Sequence, residues 1–180
     1  MRCHRAKGLM LWSICFAALA ACATTSQQPM AALPQVDLGR FMGDWYVIAS
    51  IPTALEKKAY NAIESYAMNA DGTIATTFTF NKDGFTGPLQ RHTPRGFVRA
   101  GSGNAVWGMR FVWPIKAEYI VAHVDDAYTE TIIGRSKRDY VWVMARTPVI
   151  ADDRYQSLVQ RVEALGYDVA RLKRVPQQPR

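Results

Sequence analysis

Between Trp45 and Arg146 the chain is cut into short runs of β-branched and aromatic residues, each bounded by turn-forming ones, which restricts it to an all-β architecture. Eight such runs fall at Trp45–Ile51, Ala62–Met68, Thr73–Asn81, Arg95–Ala100, Ala105–Trp113, Ala117–Val124, Thr129–Arg135 and Tyr140–Arg146. Asn69-Ala70-Asp71-Gly72 and Gly101-Ser102-Gly103-Asn104 supply hairpin turns, because Gly and Asn accept positive φ. Eight antiparallel strands predict a closed barrel whose interior holds side chains or one small ligand, and closure removes the exposed edges.

After Pro148 the hydrophobic period changes. Tyr155, Leu158, Val159, Val162 and Leu165 share one face of a helix over Asp152–Leu165. Asp152 or Asp153 stands where an N-cap belongs, and Gly166 where a left-handed C-terminal cap belongs. The expected fold is an eight-stranded up-and-down antiparallel barrel with one C-terminal helix packed outside.

Three separated segments resemble the lipocalin family: Gly43-Asp44-Trp45-Tyr46, the loop Asp125-Asp126-Ala127-Tyr128 and Ala145-Arg146-Thr147-Pro148. The Arg-Thr-Pro step and Gly166-Tyr167-Asp168 are most similar to the bacterial outer-membrane lipoprotein branch, related to apolipoprotein D. The resemblance implies that Gly43 and Trp45 open the first strand, that the Trp45 indole crosses the closed end of the barrel, and that Arg146 covers it. Asp126 and Tyr128 would belong to the same end. On that arrangement Arg146 over Trp45 is a cation–π contact of ~0.5–2 kcal/mol.

The N-terminus carries Arg2, Arg5 and Lys7, then an apolar run from Leu9 to Ala21, shorter than the ~20 residues that span a bilayer. This is the pattern of a secretory signal, expected over residues 1–21. Leu19-Ala20-Ala21-Cys22 resembles the lipobox of bacterial lipoproteins, which implies diacylglycerol on Cys22 and acyl anchoring to a membrane. Residue 23 is Ala rather than Asp, which by analogy with enterobacterial sorting points to the outer membrane, with the domain facing the periplasm. Residues 22–35, rich in Ala, Thr, Ser, Gln and Pro, are expected to form a flexible tether. The domain would then occupy 36–175, with 176–180 a short tail. Cys3 and Cys15 leave with the signal and no Cys follows Cys22, so the mature domain is expected to have no disulfide.

Alternation across a strand sets which side chains line the barrel. Trp107, Met109, Phe111 and Trp113 share one face of the fifth run, and Tyr140, Trp142 and Met144 one face of the eighth. Resemblance to the family places Trp142 inside the pocket. Phe78, Phe80, Phe97, Tyr119 and Val121 are expected to join it, giving an apolar cavity suited to a fatty acid or lysophospholipid. Between the fifth and sixth runs the chain reads Trp113-Pro114-Ile115-Lys116-Ala117-Glu118, a departure from the bacterial relatives. Lys116 or an inward Arg99 is a candidate partner for a lipid headgroup.

Nothing in the pattern points to catalysis. His92 and His123 are isolated, with no nucleophile elbow and no metal-ligand spacing, although His123 shares parity with Tyr119 as a haem ligand would require. No cofactor and no metal are expected. The net charge of +7 falls to +4 without the basic residues of the leader, and the cations are dispersed, unlike a nucleic-acid footprint. The leading expectation is a membrane-anchored lipid carrier. The other is an interaction protein with a filled barrel, acting through its surface, and either could be a homodimer.

Overall fold

The computed structural model describes residues 28–53 and 56–178. Ten strands lie among them: β1 (Gly43–Ile51), β2 (Ala59–Met68), β3 (Ile74–Lys82), β4 (Leu89–His92), β5 (Arg95–Val98), β6 (Val106–Val112), β7 (Ile115–Val124), β8 (Glu130–Gly134), β9 (Val141–Ala145) and β10 (Lys173–Arg174). Helix α1 (Leu38–Phe41) precedes β1, and α2 (Asp152–Ala164) follows β9. All neighbouring strands pair antiparallel, and β9 pairs back onto β1 to close an eight-staved barrel. The expected leader and Cys22 lie outside the described residues.

The fourth stave is longer than the sequence pattern suggested, because β4 and β5 share it. Both pair with β3: β4 along Phe78–Asn81 and β5 at Ile74 and Ala75. Between them Pro94, which has no N–H to donate, offers only its carbonyl, and Thr76 N donates to it at 3.2 Å. Strand β4 carries Leu-Gln-Arg-His, so its pairing rather than its composition makes it a strand.

Two hydrophobic clusters divide the molecule. One fills the barrel and contains Trp45, Tyr66, Phe78, Phe80, Trp107, Tyr119, Trp142 and Met144. The other lies between the outer wall and α2, joining Ile48, Ile132, Val141 and Val143 to Tyr155, Leu158 and Val162. Strands β8 and β9 are therefore buried on both faces. A bulge in β1 between Val47 and Ala49 lets the strand serve first the interior and then the outer cluster.

Helix α2 begins one residue earlier than an Asp cap would set it. Ala151 is the N-cap and makes no side-chain bond, while Asp152 and Asp153 occupy the first turn, where their charge suits the helix dipole. At the other end Gly166 takes φ +86°, its N–H donating to Glu163 O and that of Tyr167 to Val162 O.

Both ends of the domain reach past the expected boundaries. Residues 28–35 are packed on the barrel rather than free of it: Met30 is only 6 % exposed, its N–H donates to Ser136 Oγ at 3.1 Å, and Leu33 N donates to Val121 O. Strands β1 and β2 pair from Gly43 to Tyr46 and then part, and the C-terminal segment fills the gap. There β10 pairs with Ala49 and Ser50, and Gln177 Nε2 donates to the carbonyls of Val47 and Ala62. The closed barrel, both clusters and α2 all lie within residues 28–178.

Candidate functional site

One end of the barrel is sealed. Trp45 lies fully buried in the core, its Nε1 donating to Phe41 O at 2.8 Å, and the Arg146 guanidinium sits 3.7 Å from the indole centroid. Arg146 also donates to the carbonyls of Arg40, Phe41, Met42, Asp44 and Tyr128. Gly43 adopts φ +92°, and a Cβ there would meet Arg146 Nη1 at 3.4 Å. Arg40 completes the closure, with its guanidinium 4.3 Å from the Tyr128 centroid and a bond to Asp126 O.

The other end holds a cavity of about 400 Å³, within the range of roughly 300–1,000 Å³ typical of small-molecule pockets. Met109, Phe111, Tyr119, Tyr140 and Trp142 form its apolar wall, with Ala117 beside them. Trp142 stacks on Phe78 at 5.5 Å, and Tyr119 stacks on Trp107 at 5.1 Å. Below the cavity Tyr66 and Tyr119 share a hydrogen bond between their hydroxyls, and burial raises both pKa values well above the ordinary phenol. Burial also raises that of Tyr140, whose hydroxyl donates to Glu118 O. The tyrosine walls are thus neutral at physiological pH.

Polar groups at the rim are few. Glu56 Oε2 accepts from Trp142 Nε1 at 2.8 Å and Oε1 from Thr53 Oγ1 at 3.0 Å; burial raises the Glu56 pKa against these two bonds. Arg135 brings a cation to the wall, its Nε 3.2 Å from Asp139 Oδ1, near enough to attract but not aligned as a hydrogen bond. Sequence reasoning passed over Glu56 and Arg135. The Thr-x-x-Glu spacing of Thr53 and Glu56 was the available signal.

Several expected lining residues lie elsewhere. Phe78, Phe80, Val121 and Met144 are buried in the cluster that fills the barrel and are not among the cavity's walls. Phe97 faces outward: Gly96 takes the inward position, where a Cβ would meet Met109 Sδ at 3.1 Å, while Lys116 Nζ lies 3.9 Å over the Phe97 ring from outside. Trp113 is at the hairpin tip beyond β6, 78 % exposed, because register slips between Met109 and Val112. Lys116 on the outer surface and Arg99 in the β5–β6 turn are not among the cavity's walls; Arg135 is its cation. His123 is displaced by a bulge after Val121 and lines a surface groove with Asp125, Glu130 and Arg161 beside α2, so it is not placed as an interior haem ligand.

Among the described residues, Glu64 is a buried carboxyl without a hydrogen-bond partner. Glu64 is 0 % exposed inside the barrel, in register with Trp45 on one side and Phe78 on the other, and neither carboxyl oxygen is hydrogen-bonded. Burial, with the charge of Glu56 second, raises its pKa well above the ordinary carboxyl.

Comparison with known proteins agrees with this architecture. Temperature-induced lipocalin-1 of Arabidopsis thaliana is 29% identical over 165 residues, covering 85% of this chain and 86% of that protein. Outer membrane lipoprotein Blc of Escherichia coli K12 is 26% identical over 157 residues, covering 87% of this chain and 88% of that protein. Among solved structures, the cockroach allergen Per a 4 superposes with a TM-score of 0.64 at 14% identity, over 84% of this chain and 94% of that one. Insecticyanin of the tobacco hornworm Manduca sexta gives 0.64 at 13% identity, over 81% and 83%. The model of the lipocalin-like domain matches residues 36–177, nearly the whole barrel with its helix and C-terminal strand, and the chain belongs to the lipocalin family.

Proposed function

We propose that this protein binds a single-chain lipid, a fatty acid or a lysophospholipid, and stores or carries it within the bacterial envelope. The observation that carries the reading is the cavity itself: about 400 Å³ of space at one end of an otherwise filled barrel, walled by Met109, Phe111, Tyr119, Tyr140 and Trp142. Such a wall favours an acyl chain over a polar solute. Arg135 stands where a carboxylate or phosphate at the mouth would gain a charged partner. The protein acts as a carrier rather than an enzyme. Acylated Cys22 would hold it at the outer membrane, facing the periplasm, a reading supported by the leader pattern and by the relatives named outer membrane lipoprotein.

Lipid extracted from a chain of residues 28–178 and analysed by mass spectrometry tests this, paired with titration of oleic acid and of a lysophospholipid against Trp fluorescence. Co-purified acyl lipid and saturable quenching, weakened about tenfold or more by Trp142→Ala, are expected. A barrel that extracts empty and titrates with neither lipid would overturn the proposal. Labelling of the full chain with palmitate, lost in Cys22→Ser, tests the anchor separately.

A further inference from the structure

Among the described residues, the β6–β7 hairpin ends in the most exposed large apolar side chains. Val112 is 69 %, Trp113 78 % and Ile115 70 % exposed, and Phe111 just before them is 48 % exposed. From Phe111 to Ile115 there is no charged residue, although exposed hairpins ordinarily carry charge against aggregation. Among the described residues the tip pairs only with itself, through Val112 and Ile115. Behind it Arg110 and Lys116 flank the apolar segment, both folded over Phe97 on the outer wall, and neither forms an ion pair among the described residues.

We propose that this hairpin is a bilayer-insertion element that seats the mouth of the cavity on an anionic phospholipid surface. The tip is a narrow turn of five residues, whereas a stable protein interface covers about 800 Å² on each partner. A Trp beside aliphatic residues, with cations one step behind, matches the layering of a membrane surface: apolar side chains enter the acyl region, the indole lies at the headgroup boundary, and Arg and Lys reach the phosphates. The hairpin is continuous with the cavity, because Phe111 belongs both to the tip and to the cavity wall. Inserting the tip therefore brings the opening to the lipid surface, so that an acyl chain could pass between bilayer and barrel with little exposure to water. This docking is independent of acylation at Cys22 and of which lipid the cavity accepts.

The test is flotation of the chain of residues 28–178 with vesicles of phosphatidylethanolamine and phosphatidylglycerol, compared with phosphatidylcholine alone. Binding to the anionic vesicles is expected, falling as salt screens the charges. Brominated acyl chains should quench emission, and the quenching should vanish in Trp113→Phe while Trp45, Trp107 and Trp142 remain. Val112→Ser with Ile115→Ser should weaken partitioning about tenfold or more without shifting the melting temperature, since both side chains are outside the core. Arg110→Gln with Lys116→Gln should abolish the preference for anionic vesicles. Wild-type protein that fails to float, or undiminished flotation in the Val112 and Ile115 variant, would overturn the proposal. A dimer in sedimentation velocity that this variant dissociates, with vesicle binding unchanged, would reassign the tip to a second copy of the chain.

Discussion

Arg146 lies 3.7 Å over the centroid of Trp45 and reaches the carbonyl oxygens of five residues, so one side chain ties α1, the start of β1 and the loop before β8 to the end of β9. Arg146→Ala removes the donor to all of them together, and these losses do not add independently. A destabilisation of at least about 3 kcal/mol is expected by chemical denaturation. Arg146→Lys should recover only part of it, because an ammonium lacks the planar fork. Trp45→Ala should cost about 3–5 kcal/mol through the cavity it leaves. Stability close to wild type in either variant would remove this end of the barrel from its anchoring role.

The indole of Trp142 carries two separable functions. Its ring stacks on Phe78 and walls the cavity, while its N–H satisfies Glu56 at the rim. Trp142→Phe keeps an apolar ring and removes the donor, so it should cost about 1–3 kcal/mol of stability with modest change in lipid affinity. Trp142→Ala should lose both. Equal affinity loss in the two variants, by fluorescence displacement, would place the binding contribution in the hydrogen bond instead.

Glu64 makes stability fall towards alkaline pH. Its carboxyl is held protonated by burial, so the native state keeps a proton that the unfolded chain releases above about pH 4.3. The contribution is complete below that pH and declines as pH rises towards the elevated native pKa. This contribution favours pH 5 over pH 7.5, while His123, its pKa lowered by burial, works in the opposite direction. Glu64→Gln should remove the Glu64 contribution and raise stability at pH 7.5 relative to pH 5. Below the ordinary carboxyl range the trend reverses, because Asp71, held low by the Thr73 hydroxyl and amide, must then be protonated. A stability difference between pH 5 and 7.5 that is the same in wild type and Glu64→Gln would refute the assignment.

What the sequence made legible follows from local rules. Strand runs with turn residues between them identify the barrel, and the 3.6-residue period identifies α2. The β4 half of the fourth stave was hidden because Leu89–His92 has strand geometry only through its partner, Phe78–Asn81. Side-chain alternation fixes the facing within a regular strand and is broken at irregularities: Trp113 follows a register slip in β6, and His123 a bulge in β7. Phe97 points outward, against the expectation, because its small neighbour Gly96 takes the inward position against Met109. Glu64 was overlooked because a carboxylate in an alternating strand is ordinarily placed outside, although it shares parity with Tyr66.

Met30 shows that the segment leading into the barrel is part of the fold. Gly134 leaves room for it: a Cβ there would lie 2.5 Å from Tyr167 Oη and 2.9 Å from Met30 Sδ. Gly134→Ala should cost about 1–3 kcal/mol by overpacking. Hydrogen exchange should accelerate at the amides of Met30 and Arg135, which donate to Ser136 Oγ and Tyr167 Oη. Unaltered exchange at both would mean that the strap is held by other contacts.

Gln177 joins strands that no longer pair with each other. Its Nε2 donates to Val47 O at 2.9 Å and Ala62 O at 3.0 Å, while Asn61 N donates to Pro176 O and Gln178 N to Asn61 Oδ1. Removing residues 176–180 withdraws these bonds while leaving β10 in place. The carbonyls of Val47 and Ala62 then lose their side-chain donor within a buried stretch, a loss of about 1–3 kcal/mol. Gln177→Ala should reproduce most of it, which separates the amide's contribution from that of chain length. The truncated protein should unfold at lower denaturant with faster exchange at the Asn61 amide. If Gln177→Ala matches wild type while the truncation is destabilised, the backbone bonds of Pro176 and Gln178 carry the clasp.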